Sequence, residues 1–331
     1  MDTFAIAILD HIAAPALLVA GDQVTFANPA ARFLLGNHIV GQSIRIALRN
    51  PAAVALASAD GGGQINLEGL SVAGSKWEMA CHVLGDDLRL ITLDDISVQA
   101  SVARAHADFV ANASHELRTP LAAILGFVET LEDSKLDAAT RGRFLGTIKR
   151  EAGRMRALIE DLMSLSRIEA SKHEAPQGVI DLVALSREAA GESSLSSNVI
   201  IESNVEKALT TGDRGQMAQV LRNLVDNALK YGKPDGQVTI AIEATDTGWV
   251  SLTVRDEGDG IAPEHLPRLT ERFYRADASR SREAGGTGLG LSIVKHIIER
   301  HRGRFDIVSR AGDGTTASIM LRRAEHGLSS K

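Results

Sequence analysis

Four groups of residues in the 331-residue chain have types and spacings suited to chemistry. The first is His115, followed by Glu116 and, one helical turn on, Thr119. Around them Val110, Ala113, Leu117, Ile124, Val128 and Leu131 recur at three- and four-residue steps, the pattern of one buried helical stripe. At about 100° per residue His115 falls off that stripe, so its imidazole is expected in solvent with Thr119 on the same face. Pro120 has no amide hydrogen for the carbonyl of Glu116, so the helix should loosen or bend just past the histidine. An exposed imidazole beside a carboxylate and a built-in flexure suits proton and group transfer. Taken alone, the same residues also describe a surface histidine among solvated helix charges.

The second group is Asn223 and Asn227, one turn apart on a helix whose core is Leu221, Leu224, Val225, Ala228 and Leu229 and which ends in Lys230 and Tyr231. Structural hydrogen bonding is the commoner fate of such amides. The third is Asp256, closing a strand ahead of Gly258 and Gly260, a spacing that an Asp-Gly turn would also explain. The fourth is the glycine run Gly285 to Leu291, directly before the amphipathic helix Ser292 to Arg302. Glycine permits close approach, and a helix N-terminus offers free amides and a positive dipole to phosphate. A Walker-type loop is excluded, because no Gly-Lys-Ser/Thr follows and the loop has the wrong length.

In wording and order these stretches resemble the boxes of bacterial two-component sensor histidine kinases. Ser114 to Pro120 resembles the phosphoacceptor box, Asn223 to Ala228 the asparagine box, Phe273 the phenylalanine box, and Gly286 to Leu291 the glycine box. The likeness spans about residues 98 to 322, and with the N-terminal region it leans toward the phosphate-regulon sensor type. It implies transfer of the ATP γ-phosphoryl to His115 and relay to an aspartate of a response regulator receiver domain. Glu116 would take or orient the ring proton, and Thr119 would orient water in hydrolysing the regulator's acyl phosphate. Asn227 would ligate Mg²⁺ with Asn223 as its partner, Lys230 would contact phosphate and Tyr231 would flank the adenine. Asp256 would accept from the adenine amino group while Gly258 and Gly260 bring the backbone against the base. Gly286, Thr287, Gly288, Leu289 and Gly290 would cradle the phosphates. Pro263 to Ala284, with Arg268, Arg272, Arg275, Arg280 and Arg282, would be a lid whose guanidinium groups pair with phosphate. Thr270 stands where a second aromatic is common, a departure that bears on how the lid docks against the helical bundle. Rival readings are a phosphate-insensitive related sensor kinase, a chaperone- or mismatch-repair-style ATPase, and a nucleotide-binding signalling scaffold.

The elements that must position these residues point to a multidomain α+β chain. Residues 1–97 resemble a PAS sensor domain: strands Ala16–Ala20 and Gln23–Ala27 about Gly21-Asp22, a helix capped by Asn28-Pro29 and stopped at Gly36, then strands at Gln64–Val72, Lys76–Leu84 and Asp87–Leu93. Residues 98–172 read as two long helices meeting near Asp133 to Lys135. On the second, Phe144, Ile148, Met155, Leu158, Leu162 and Leu165 keep a bundle seam, so a homodimeric four-helix bundle is expected. Residues 173–325 alternate helices and strands, and the resemblance implies a GHKL or Bergerat-type α/β sandwich binding ATP; residues 326–331 form a tail.

Composition narrows the function classes. A net charge of −6 argues against a nucleic-acid surface. The one cysteine, Cys81, allows no internal disulfide and fits a reducing compartment, where it reads as a small buried hydrophobe. Asp10, His11 and Pro15 interrupt the apolar N-terminal run, so neither leader nor membrane span is expected there. A cytoplasmic protein follows, with recruitment to a membrane only by indirect means.

Overall fold

The structure, a computed structural model, describes residues 3–85, 87–132, 136–171, 174–192, 198–276 and 286–324. Asp86 of the last N-terminal turn, the expected helix break at Asp133 to Lys135, Arg280 and Arg282 of the lid, Gly285 and the tail beyond Ala324 lie outside the described residues. Two compact units divide the chain, Met1–Val110 and Ala111–Lys331.

The first unit is built on a five-stranded antiparallel sheet in the order β2-β1-β5-β4-β3. Its strands are β1 (Ala16–Ala20), β2 (Gln23–Ala27), β3 (Gly63–Glu68), β4 (Lys76–Val83) and β5 (Leu88–Asp95). The first two match the expected bounds, while β3 stops four residues short of Val72 because Gly69 turns the chain at φ +78°. Helices α1 (Thr3–Asp10), α2 (Pro29–Leu35), α3 (Ile44–Leu48) and α4 (Pro51–Ser58) complete the unit. Asn28 is its keystone. Fully buried, it accepts from the amides of Ala16 and Ala31 and donates to the carbonyls of Leu9, Ile12 and Ala14. One side chain therefore caps α2 and ties the end of α1 to the start of β1.

Helix α5 (Ser97–Leu131) runs through Pro120 without a break in its helical assignment, so the expected loosening does not interrupt it. Helix α6 (Ala138–Ala170) begins at Asp137, whose carboxylate accepts from the amide of Thr140. The α6 seam residues Phe144, Ile148, Met155, Leu158, Leu162 and Leu165 are all buried or half-buried, and Phe144 meets Phe127 of α5 at 5.2 Å between ring centroids. The α5 stripe is less complete: Val110 and Val128 are half exposed within one chain, and so are Leu121 and Leu125 of the same helix. Apolar surface of this kind on a hairpin is what a second hairpin would cover.

After the hairpin come β6 (Val179–Asp181), α7 (Leu182–Glu192), β7 (Val199–Ser203), β8 (Leu209–Thr211), α8 (Arg214–Tyr231), β9 (Val238–Ala244) and β10 (Trp249–Arg255). Helix α9 (Gly290–Arg300) and the hairpin β11 (Arg304–Arg310) and β12 (Gly314–Arg322) close the fold. The main sheet runs β11-β12-β10-β9-β7, antiparallel except for the parallel β7–β9 pair, and β6 with β8 forms a two-stranded ribbon. Along β10 burial alternates, with Val250, Leu252 and Val254 inward, the period-2 signature of a sheet with one covered face. Met217, Val220, Leu221, Leu224 and Val225 of α8 and Ile293, Val294, Ile297 and Ile298 of α9 supply the facing layer. This is a two-layer α/β sandwich, and α9 also packs on α6, which brings the sandwich against the hairpin.

Candidate nucleotide site between sandwich and hairpin

A cavity of about 550 Å³ opens at the edge of the sandwich where α8, the end of β10 and the start of α9 meet. The expected residues Asn223, Asn227, Lys230, Tyr231, Asp256 and Gly260 line it, and so do Gly286, Thr287, Gly288 and Gly290. Three of the four non-contiguous stretches singled out in the sequence thus converge on one volume. Gly258 and Leu289 are not among the lining residues; they act from behind the wall.

Gly258 donates its amide to Oδ1 of Asp256 at 2.8 Å, and Thr315 donates to the same oxygen at 3.2 Å. The carboxylate is 7 % exposed and is thereby fixed at the end of β10, facing the cavity. Burial raises its pKa above the ordinary aspartate value against the opposing pull of these two bonds. At Gly260, φ is +69° and a Cβ would fall 1.9 Å from the Arg310 carbonyl oxygen, so no other residue lets this turn pass beneath the cavity. Gly288 has the same character, at φ +73° with its Cβ position 2.9 Å from the Phe273 Cα, and its carbonyl accepts from the Phe273 amide at 2.8 Å. Phe273 is accordingly fastened to the glycine run by backbone contacts.

At the α9 N-terminus Leu289 is fully buried and gives its amide to Thr287 Oγ1 at 3.2 Å, while Ile293 bonds the Leu289 carbonyl. The amides of the first helical turn have no helical partners, and Gly290 and Leu291 face the cavity, a ready seat for an anion. Asn223 donates to the Gly290 carbonyl at 3.3 Å, linking α8 to that terminus, and Asn227 lies one turn on. Lys230 sits over the Tyr231 ring at 5.1 Å. Among the described residues no cluster of three or more His, Cys, Asp or Glu could hold a metal, and the oxygen donors that line the cavity beside α8 include the side chains of Asn223, Asn227, Asp226 and Asp259. Such a set suits Mg²⁺, which keeps waters and shares its sphere with substrate phosphates.

The walls also include Ala157 and Asp161 from α6 and Tyr274 and Arg275 from the segment after Phe273. Asp161 accepts from Thr287 Oγ1 at 2.7 Å, and burial raises its pKa. Arg275 is 8 % exposed and donates to Glu116 at 2.8 Å; Arg154 of α6 reaches the same carboxylate oxygen at 3.2 Å. Arg272 pairs with Glu169, Ser164 donates to Gln219 at 2.8 Å, and Arg300 donates to the Ser171 carbonyl at 3.1 Å. Two arginines close to Thr270 in the chain, Arg272 and Arg275, meet carboxylates of the hairpin, Glu169 and Glu116. Asp161, Arg154 and Gln219 are not among the residues that the sequence singled out, since helical periodicity gives no sign of the partner element.

His115 and Thr119 are exposed on α5, and none of His115, Glu116 and Thr119 lines the cavity. Thr119 Oγ1 donates to the His115 carbonyl at 3.3 Å, the local helix bond open to any such threonine. Glu116 is the member of the group joined to the cavity, through Arg275.

The exposed His115 thus stands on a helical hairpin that packs against a glycine-lined α/β sandwich, and comparison with known proteins assigns each of the two parts to a family. Residues 105–171 match the His Kinase A (phospho-acceptor) domain family, and residues 212–325 match the family described as histidine kinase-, DNA gyrase B-, and HSP90-like ATPase. The chain belongs to the two-component sensor histidine kinase family. It is 41 % identical over 237 residues to the phosphate regulon sensor protein PhoR of Pseudomonas aeruginosa, covering 70 % of this chain and 53 % of that protein. Sensor protein SrrB of Staphylococcus aureus is 34 % identical over 244 residues, covering 71 % and 41 %. The chain therefore spans about half the length of the curated relatives it matches. The crystal structure of histidine kinase ThkA in complex with response regulator protein TrrA aligns over 96 % of this chain and 98 % of that one, with a TM-score of 0.56 at 20 % identity, a likeness of fold.

Proposed function

We propose that the chain phosphorylates itself on His115 from ATP and passes the phosphoryl group to an aspartate of a response regulator. The observation that carries the proposal is the Arg275–Glu116 pair, which joins the wall of the nucleotide cavity to the residue beside the acceptor. ATP fits the cavity by its parts: Asp256 offers a fixed acceptor to the adenine amino group, and the α9 terminus offers amides to the phosphates. Asn227, with Asn223 beside it, would hold Mg²⁺, which supplies charge neutralisation at the phosphates when bound. In the transfer an imidazole nitrogen of His115 forms the N–P bond as the bond from the γ-phosphorus to the bridging oxygen breaks. ADP departs with that electron pair, and the ring proton passes to Glu116 or solvent.

The test is incubation with γ-labelled ATP. Acid-labile, alkali-stable label should appear on the chain and vanish in His115→Gln, with ATP affinity retained. Label persisting on that variant would defeat the assignment, and hydrolysis without any phosphohistidine would favour a plain ATPase.

We further read residues 98–172 as a dimerisation domain, supported by the half-exposed Leu121, Leu125 and Val128 on α5. Leu125→Glu should then shift the full chain toward monomer in light scattering; an unchanged dimer would place the interface elsewhere. Residues 1–97 are read as a PAS-like sensor domain, a proposal supported by the β2-β1-β5-β4-β3 strand order. No helix among the described residues is long and apolar enough to cross a membrane, and a cytoplasmic location remains part of the proposal.

A further inference from the structure

Three carboxylates of the hairpin face the sandwich, and they are not treated alike. Glu116 has two guanidinium partners, Arg154 and Arg275, and Glu169 has Arg272 with His296 at 3.9 Å. Asp161, between them on α6, has no cation partner among the described residues. Its one described bond is from the hydroxyl of Thr287, at 2.7 Å. A contact serving only to hold the two parts together would gain more from a guanidinium there, as at the other two sites.

Thr287 is also not an arbitrary surface hydroxyl. It stands at the mouth of the α9 N-terminus, accepts from the Leu289 amide at 3.2 Å, and lines the cavity together with Asp161. Phosphates approaching the free amides of α9 must pass this hydroxyl and come up against the Asp161 carboxylate. Like charges at such range repel, and the hydroxyl has one proton to donate.

We propose that Asp161 is a residue of the nucleotide site contributed by the hairpin, and that it competes with the ATP phosphates for the Thr287 hydroxyl. Filling the site and keeping this docking bond are then mutually exclusive. The remaining docking bonds, Ser164 to Gln219, Arg300 to Ser171, Arg272 to Glu169 and Arg275 to Glu116, do not involve Thr287 and can persist. ATP thus releases one contact of the docked face rather than the whole of it, and the hairpin in turn lowers the affinity for ATP through that contact.

This inference rests on the nucleotide reading of the cavity, and calorimetry on the full chain separates the two. ATP, ADP and adenosine are titrated with and without Mg²⁺ into wild type, Asp161→Ala and Asp161→Asn, each checked for fold by circular dichroism. Asp161→Ala should bind ATP about tenfold more tightly, at the lower end of what one charge-assisted hydrogen bond is worth, and adenosine unchanged. Asp161→Asn, which keeps an oxygen for Thr287 but loses the charge, should fall between the two. Equal or weaker ATP binding by Asp161→Ala would overturn the inference. Weakening seen with Mg²⁺ but not without it would make Asp161 a metal ligand instead. Adenosine tightening as much as ATP would show general loosening of the docked face and would also overturn it. A wild type that binds ATP no better than a denatured control would overturn the nucleotide reading and the inference with it.

Discussion

Arg275 and Glu116 lie 159 residues apart in the chain and 2.8 Å apart in space, an ion pair between the nucleotide cavity wall and the residue next to the exposed His115. The guanidinium is 8 % exposed and the carboxylate 30 %, so the pair is sheltered enough for its charge to matter. The Nε of Arg275 is buried with no partner among the described residues, a donor left over at the cavity edge that a phosphate oxygen would satisfy. With two arginines on one oxygen, Glu116 is held as an orienting group; to accept a proton it must shed part of that contact.

Arg275→Ala should therefore slow autophosphorylation by tenfold or more, while transfer from already phosphorylated His115 to the regulator is far less affected. The expected origin is loss of positioning, since Arg154 still neutralises Glu116 at 3.2 Å. Arg275→Lys should recover part of the rate as a point charge without the fork. A variant with unchanged initial labelling rates would remove Arg275 from the reaction.

Asp256→Asn keeps the shape of the side chain and replaces a carboxylate by an amide. Depending on its orientation, the amide presents NH₂ either to the backbone donors of Gly258 and Thr315 or to the adenine amino group. Either mismatch costs about 1–3 kcal/mol, or tenfold to a hundredfold in ATP affinity. Calorimetry showing an unaltered dissociation constant in a folded variant would disprove the adenine contact.

His301, 7 % exposed at the end of α9, accepts from the Asp213 amide at 3.0 Å through Nε2 and bonds the Ile297 carbonyl at 2.7 Å through Nδ1. Burial pushes its pKa below the ordinary histidine value, so the folded state holds the neutral ring. Below the unfolded-state value of about 6.5 the unfolded chain binds a proton that the folded chain does not. Stability should therefore be complete above that value and fall as pH drops toward the folded-state pKa. Burial raises Asp161 and Asp256, whose contributions change in the opposite sense at lower pH, so the comparison is with His301→Gln. Denaturant unfolding should show the gap between wild type and variant narrowing from pH 7.5 to about 5.5. A constant gap would mean that His301 titrates alike in both states.

Thr119 presents its hydroxyl on the exposed face of α5 one turn beyond His115, with its proton on the His115 carbonyl at 3.3 Å and its oxygen lone pairs left to hold water. If it orients the water that hydrolyses the regulator's acyl phosphate, Thr119→Ala should lengthen the life of the phosphorylated regulator more than it slows autophosphorylation. Equal lifetimes with both proteins, at a rate clearly above the regulator's own decay, would leave Thr119 only its helix bond.

The sequence by itself determined what depends on near neighbours. The Asn28 cap, the strands β1 and β2 about Gly21-Asp22 and the helix α8 with Asn223 and Asn227 on one face follow from residue type and periodicity, and their observed bounds match. The seam of α6 was equally legible, because a buried stripe repeats within its own helix. The short helices α3 and α4 went unread, being five and eight residues long and too brief for a period to show. On α5 the pattern marked Val110 and Val128 as buried, yet one chain leaves both half exposed, since periodicity names an apolar face without saying what covers it. The positions of Gly258 and Leu289 behind the cavity wall, the Asp161 carboxylate on Thr287 and the two arginines on Glu116 were decided only by tertiary structure. Charged residues on a helix or loop read as solvated until the opposing element is in place. For Arg275 on Glu116 and Asp161 on Thr287 the opposing element lies more than a hundred residues away, and the chain's own spacing carries no signal of it.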